Sequence, residues 1–123
     1  MLQGNGMTGK IAIIIASDWD QKLKVTSGLH LAKRIYGAKL ENSIDTVEVF
    51  LYAGGSKLLQ SLPEEFINII EGLKQADITV KVCTTEARSW ALEENAKKFG
   101  IVLEFARDAF SRYAREGFTV FTF

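Results

Sequence analysis

The run Ile11-Ala12-Ile13-Ile14-Ile15-Ala16 contains no polar residue and is mostly β-branched. A strand of this kind has no face to turn to water. It must be covered on both sides, as the inner strands of parallel sheets are. The rest of the chain alternates in the same sense. Further strands are expected at Thr46 to Ala53, Ile78 to Cys83, Ile101 to Phe105 and Gly117 to Phe123. Helices are expected at Lys22 to Tyr36, from Ser61-Leu62-Pro63-Glu64 on through Leu73, at Glu86 to Phe99 and at Asp108 to Arg115.

The helices carry their own signals. Val25, Leu29, Ala32 and Ile35 or Tyr36 share one face of the first, and Gly37 is placed to end it. Ser61-Leu62-Pro63-Glu64 has capping-box spacing with a proline in the first turn. Phe66, Ile69, Ile70 and Leu73 then recur at helical spacing. Phe110, Tyr113 and Ala114 are expected to face inward from the last helix, and Gly100 to end the third. Lys39 to Asp45 reads as a connection, Gly54-Gly55-Ser56 as a sharp break, and Lys57 to Gln60 as a short helical turn. Strands alternating with helices imply right-handed crossovers. The expected fold is therefore α/β, a three-layer α/β/α sandwich with a mainly parallel sheet of about five strands. Strand order is left open.

One domain is expected over 10–123, with 1–9 as a glycine-rich lead-in. A chain of 123 residues has room for a core. Fifteen basic and fifteen acidic residues balance, leaving no electrostatic footprint for nucleic acid or an anionic membrane. A near-neutral surface is compatible with a homo-oligomer. One cysteine cannot form an intrachain disulfide. No apolar run approaches a membrane span, so a cytoplasmic protein is expected.

In open α/β sheets ligands bind beyond the carboxyl ends of strands. That rule selects Asp18 to Asp20, Gly54 to Ser56, Cys83 to Glu86 and Ala106 to Asp108. Cys83 is the most informative. It ends an apolar strand directly before a helix, whose first N–H groups are unpaired and whose dipole is positive there. Thr84 and Thr85 can cap the helix or donate to a sulfur anion, and Arg88 can add positive charge. The thiolate is the nucleophilic form, so this setting suits a thiol that accepts sulfur. The competing reading is a buried cysteine that packs as a small hydrophobe.

The segment from Val80 to Arg88, with Cys83 at its centre, resembles the cysteine segment of the DsrE/DsrF-like proteins. The likeness extends to the opening strand Lys10 to Ala16, the strand Val47 to Gly55, the segment Leu73 to Ile78 and the final strand Gly117 to Phe123. Such proteins are small α/β/α domains that form dimers, trimers or hexamers, and the best-understood ones relay sulfur. The resemblance implies that Cys83 accepts sulfane sulfur as a persulfide from donor proteins and passes it to acceptors, without a cofactor. The alternative is a non-catalytic oligomeric module of the same fold that binds a small ligand or a partner. With no second cysteine, a partner or small thiol would have to resolve the persulfide.

Other residues weigh less. His30, the only histidine, reads as a structural or surface residue. Asp18 and Asp20 are too few for a metal cage, so no metal is expected. Gly54 and Gly55 can present backbone N–H groups to an anion, though they match no phosphate-loop pattern. Trp90 and the aromatics Phe118, Phe121 and Phe123 suggest packing in the core or at a subunit contact. Glu93, Glu94, Lys97 and Lys98 read as a solvated helix face with i,i+4 pairing.

Overall fold

A computed structural model describes residues 7–123. The expected lead-in lies outside the described residues over 1–6, and Gly9 already belongs to the first strand. Five strands, β1 (Gly9–Ile15), β2 (Ile44–Leu51), β3 (Thr79–Cys83), β4 (Val102–Glu104) and β5 (Thr119–Thr122), form one sheet in the order β4-β3-β2-β1-β5. Every pairing is parallel. Among the described residues seven α-helices accompany them: α1 (Lys22–Gly37), α2 (Lys39–Asn42), α3 (Gly54–Ser61), α4 (Glu64–Gln75), α5 (Thr84–Ser89), α6 (Glu93–Lys98) and α7 (Ala106–Glu116). The protein is thus an α/β sandwich of three layers.

Strand order follows from handedness. From β1 to β4 each strand is laid beside the last in one direction. Right-handed crossovers then put all their helices on one face. There Ile13, Ile15, Val49, Leu51, Val80 and Val82 meet Leu29 of α1, Leu58 of α3, Phe66 and Leu73 of α4, and Ala87 and Ala96 of α5 and α6. The last crossover runs back across the opposite face, so α7 alone packs there. Its Ala109 and Tyr113 sit on Ala12, Ile14, Phe50 and Cys83. The period-2 alternation of strands thus sends Ile13 to one layer and Ile14 to the other.

Several expectations are corrected. Gly54-Gly55-Ser56, expected as a sharp break before a helical turn at Lys57 to Gln60, is itself the first turn of α3. A Cβ on Gly55 would lie 1.8 Å from the carbonyl oxygen of Ile15, so glycine is required for α3 to touch the backbone of β1. The capping box does not form: Ser61 is the last residue of α3, and Pro63 caps α4 without a side-chain hydrogen bond. The helix expected over Glu86 to Phe99 is broken in two. Ala91 adopts φ 55°, Leu92 N–H donates to Ala87 O at 2.7 Å and Ala91 N–H to Arg88 O at 3.4 Å. This is a Schellman stop with alanine in the position glycine usually holds, and it drops Leu92 into the core. Glu93 pairs with Arg88 at 3.7 Å. No i,i+4 pair forms on α6 among the described residues. The connection at 39–45 holds α2 and the start of β2. Ala114 is exposed, and half-buried Arg112 takes its place on the inner face of α7. Phe118 and Phe123 pack on opposite faces of the sheet, while Phe121 is exposed on β5.

Arg112 faces inward because carboxylates lie beneath it. Glu48 of β2 is 6% exposed. It accepts hydrogen bonds from Arg112 Nη2 at 2.6 Å and from the Tyr113 hydroxyl. Glu104 of β4 accepts from Arg112 Nε at 3.2 Å and Nη2 at 2.9 Å, and from Lys81 Nζ at 2.9 Å. Two cations and two anions therefore clamp α7 to the sheet. Burial pushes the Glu104 carboxyl up, but the hydrogen bonds from Arg112 and Lys81 outweigh it and hold it below the ordinary range. The Tyr113 hydroxyl is pushed up by burial and by its bond to Glu48. The Arg112 guanidinium is pushed up first by its bond to Glu104, against the effect of burial.

Candidate functional site

The carboxyl ends of the strands are not equivalent. The chain leaves β1, β2 and β3 toward one face of the sheet and leaves β4 toward the other. A crevice must open where neighbouring strands diverge in this way, and that point lies between β3 and β4. A cavity of about 480 Å³ occupies it, lined by Tyr52, Cys83, Thr85, Glu86, Phe105, Ala106 and Arg107. A larger groove of about 580 Å³ lies between α1 and α4, with His30, Lys33, Glu64 and Glu65 on its walls. It sits outside the helix layer, away from the strand ends. Its lining also includes Leu29, Ile69 and Leu73 of the same two helices, and topology favours the smaller cavity as the site.

Cys83 enters the cavity as the last residue of β3. It is 3% exposed and shares the second apolar cluster with Phe50 and Tyr113. In register it stands beside Glu104, whose carboxylate is engaged by Lys81 and Arg112. The helix after Cys83 is six residues long, so the dipole facing the thiol is short. The longer α7, eleven residues with no side-chain cap, also begins at this cavity.

Thr85 lines the cavity, whereas Thr84 is buried outside it. Arg88 is exposed, and its guanidinium carbon lies 5.6 Å from the centre of the Phe105 ring. Asp18 is not drawn in: its Oδ1 accepts from Trp19 N–H at 2.6 Å and caps a single 3-10 turn. Asp20 is exposed on that turn. Gly54 and Gly55 are turned toward the backbone of Ile15 to Asp18. Trp90 packs against the main core under Lys57 Nζ, 5.1 Å from its ring centre.

The sequence reading missed Glu86 as a fixed group. Its Oε1 accepts from Ala53 N–H at 2.8 Å and from Ser56 Oγ–H at 2.7 Å. These bonds tie α5 to the start of α3 and pin one wall of the cavity. Ala53 holds φ 53° and ψ −120°, a region unfavourable for an L-residue, and strain of this kind clusters at functional sites. Ala106 and Arg107 lay within the expected strand-end segments and Phe105 at the end of the expected fourth strand, but their meeting with Cys83 depended on β4 lying beside β3.

Among the described residues, no three His, Cys, Asp or Glu side chains are grouped to hold a metal. No helix among them is long and apolar enough to cross a membrane.

No known protein family matches the chain, and no curated protein does. Solved structures resemble its fold. A conserved protein of unknown function, BT1422 from Bacteroides thetaiotaomicron, superposes with a TM-score of 0.74 at 18% identity, over 97% of this chain and 100% of that one. The ychN protein of E. coli superposes with a TM-score of 0.71 at 16% identity, over 94% of this chain and 99% of that one. At these identities the likeness is one of fold.

Proposed function

We propose that this protein is a sulfur carrier of the DsrE/DsrF-like kind, a homo-oligomer that accepts sulfane sulfur on Cys83 as a persulfide and hands it to an acceptor. The observation that carries this reading is the position of Cys83. The chain's single thiol forms part of the wall of the switch-point cavity, where a fold of this class gathers its chemistry. The resemblance around Val80 to Arg88 supports the same residue. The exposed Val120 and Phe121 on edge strand β5 support self-association, since an unpaired edge with apolar side chains invites a partner.

The test is mass spectrometry of the folded protein after exposure to a sulfane donor, alongside alkylation. The expected result is a gain of one sulfur atom on Cys83 and alkylation of the folded chain. A thiol that reacts only after denaturation would refute it. A second reading, a non-catalytic binding module, is favoured by the low exposure of Cys83 within an apolar cluster. Under it, Cys83→Ala leaves assembly and ligand binding unchanged and no persulfide forms.

A further inference from the structure

The helices α1 and α4 lie side by side without closing on each other. Lys22 Nζ meets Glu65 Oε1 at 2.8 Å and joins their first turns. Beyond that pair a groove of about 580 Å³ opens, with Leu29, Leu73 and half-buried Ile69 as its apolar floor. Three residues of α4 line it at i, i+4 and i+8: Glu64, Asn68 and Gly72. That spacing puts them in one row on one face of the helix. The row offers a carboxylate, then an amide that both donates and accepts, then bare backbone. Glycine inside a helix is unfavourable relative to alanine. Here it clears the groove, because a Cβ on Gly72 would stand 3.4 Å from Lys33 Nζ. The Lys33 ammonium, from α1, therefore lies over the far end of the row. Neither Glu64 nor Lys33 belongs to an ion pair among the described residues. An acid at one end and a base at the other thus face the groove, about 12 Å apart along the helix axis.

From this arrangement we infer that the groove binds a short apolar peptide in extended form, three or four residues long, with both of its ends free. Its ammonium sits on Glu64, its backbone on Asn68, its side chains on Ile69 and its carboxylate under Lys33. An extended chain spans about 3.3–3.6 Å per residue, so three or four residues cover roughly 10–14 Å. Other occupants fit worse. An α-helix is about 10–12 Å across and would take up roughly 1,000 Å³ over the same length, more than the groove holds. A second copy related by a two-fold axis would set one hollow against an identical hollow and leave the space unfilled. The groove is separate from Cys83, and peptide binding there does not depend on the sulfur-carrier reading.

The test is calorimetry of the full chain with trileucine at about pH 6.5, where both ends of the peptide are charged. Saturable binding is expected. N-acetylation and C-amidation of the peptide should each weaken it about two- to fivefold, the worth of a solvent-exposed ion pair. Glu64→Gln should erase the effect of acetylation and keep that of amidation, and Lys33→Gln should do the reverse. Both side chains are exposed, so the substituted proteins keep their fold, which circular dichroism verifies. Gly72→Leu should abolish binding by filling the groove. The site is overturned by a lack of saturable binding, by capped and free peptides that bind alike, by cap effects that neither substitution touches, or by binding that survives Gly72→Leu. A fall in sedimentation mass on Lys33→Gln with no peptide bound also overturns it and assigns the groove to a second copy.

Discussion

Arg112→Ala should loosen the helix that forms one side of the cavity, and the structure sets the size of the effect. Arg112 gives two parallel hydrogen bonds to Glu104 and a third to Glu48. The Glu48 side chain is 8% exposed and those of Arg112 and Glu104 are each 20% exposed. Removing one partner of a buried pair costs about 3–5 kcal/mol, because the other charge is left uncompensated. Lys81 remains 2.9 Å from Glu104 and 3.8 Å from Glu48, which places the loss near the lower end, about 3 kcal/mol. That is a large share of the roughly 5–15 kcal/mol expected for a whole domain. It corresponds to a fall in Tm of about 10 °C for a chain of this size. Urea denaturation followed by circular dichroism measures it. A cycle with Glu48→Gln should give a coupling of about 1–3 kcal/mol. Arg112→Lys should recover only part of the loss, since an ammonium cannot span both carboxylates. A loss below about 1 kcal/mol, or no coupling to Glu48, would show that the clamp does not hold α7 to the sheet.

Gly55→Ala puts a methyl group 1.8 Å from the Ile15 carbonyl oxygen; the protein should lose at least about 3 kcal/mol, and a denaturation midpoint like that of the parent would show that α3 can move off β1. Glu104, held below its ordinary value of 4.5, contributes stability that is complete above that value and is lost as pH falls through its lower folded value. The stability gap between the parent and Glu104→Gln should therefore shrink on acidification, and curves that stay parallel down to about pH 2 would contradict this.

Much of the fold is legible from local signals. The unbroken apolar run at Ile11 to Ala16 demands cover on two faces, and the helical spacing of Phe66, Ile70 and Leu73 marks the buried face of α4. What failed locally failed for a reason. Ala91 gave no hint that it would take a left-handed conformation, because its place in a Schellman stop is enforced by Leu92 entering the core. Glu48, Lys81, Glu104 and Arg112 lie on four separate elements and read as ordinary surface charges until α7 is folded over the sheet.

The same division holds for the site. Sequence alone determined that Cys83 ends an apolar strand before a helix, because both signals are carried by neighbours along the chain. It could not place β4 beside β3, nor send α7 to the opposite face, because strand order depends on pairings distant in sequence and on crossover handedness. That tertiary choice opened the crevice, brought Phe105 and Arg107 to Cys83, and left Asp18, Gly54 and Gly55 outside it.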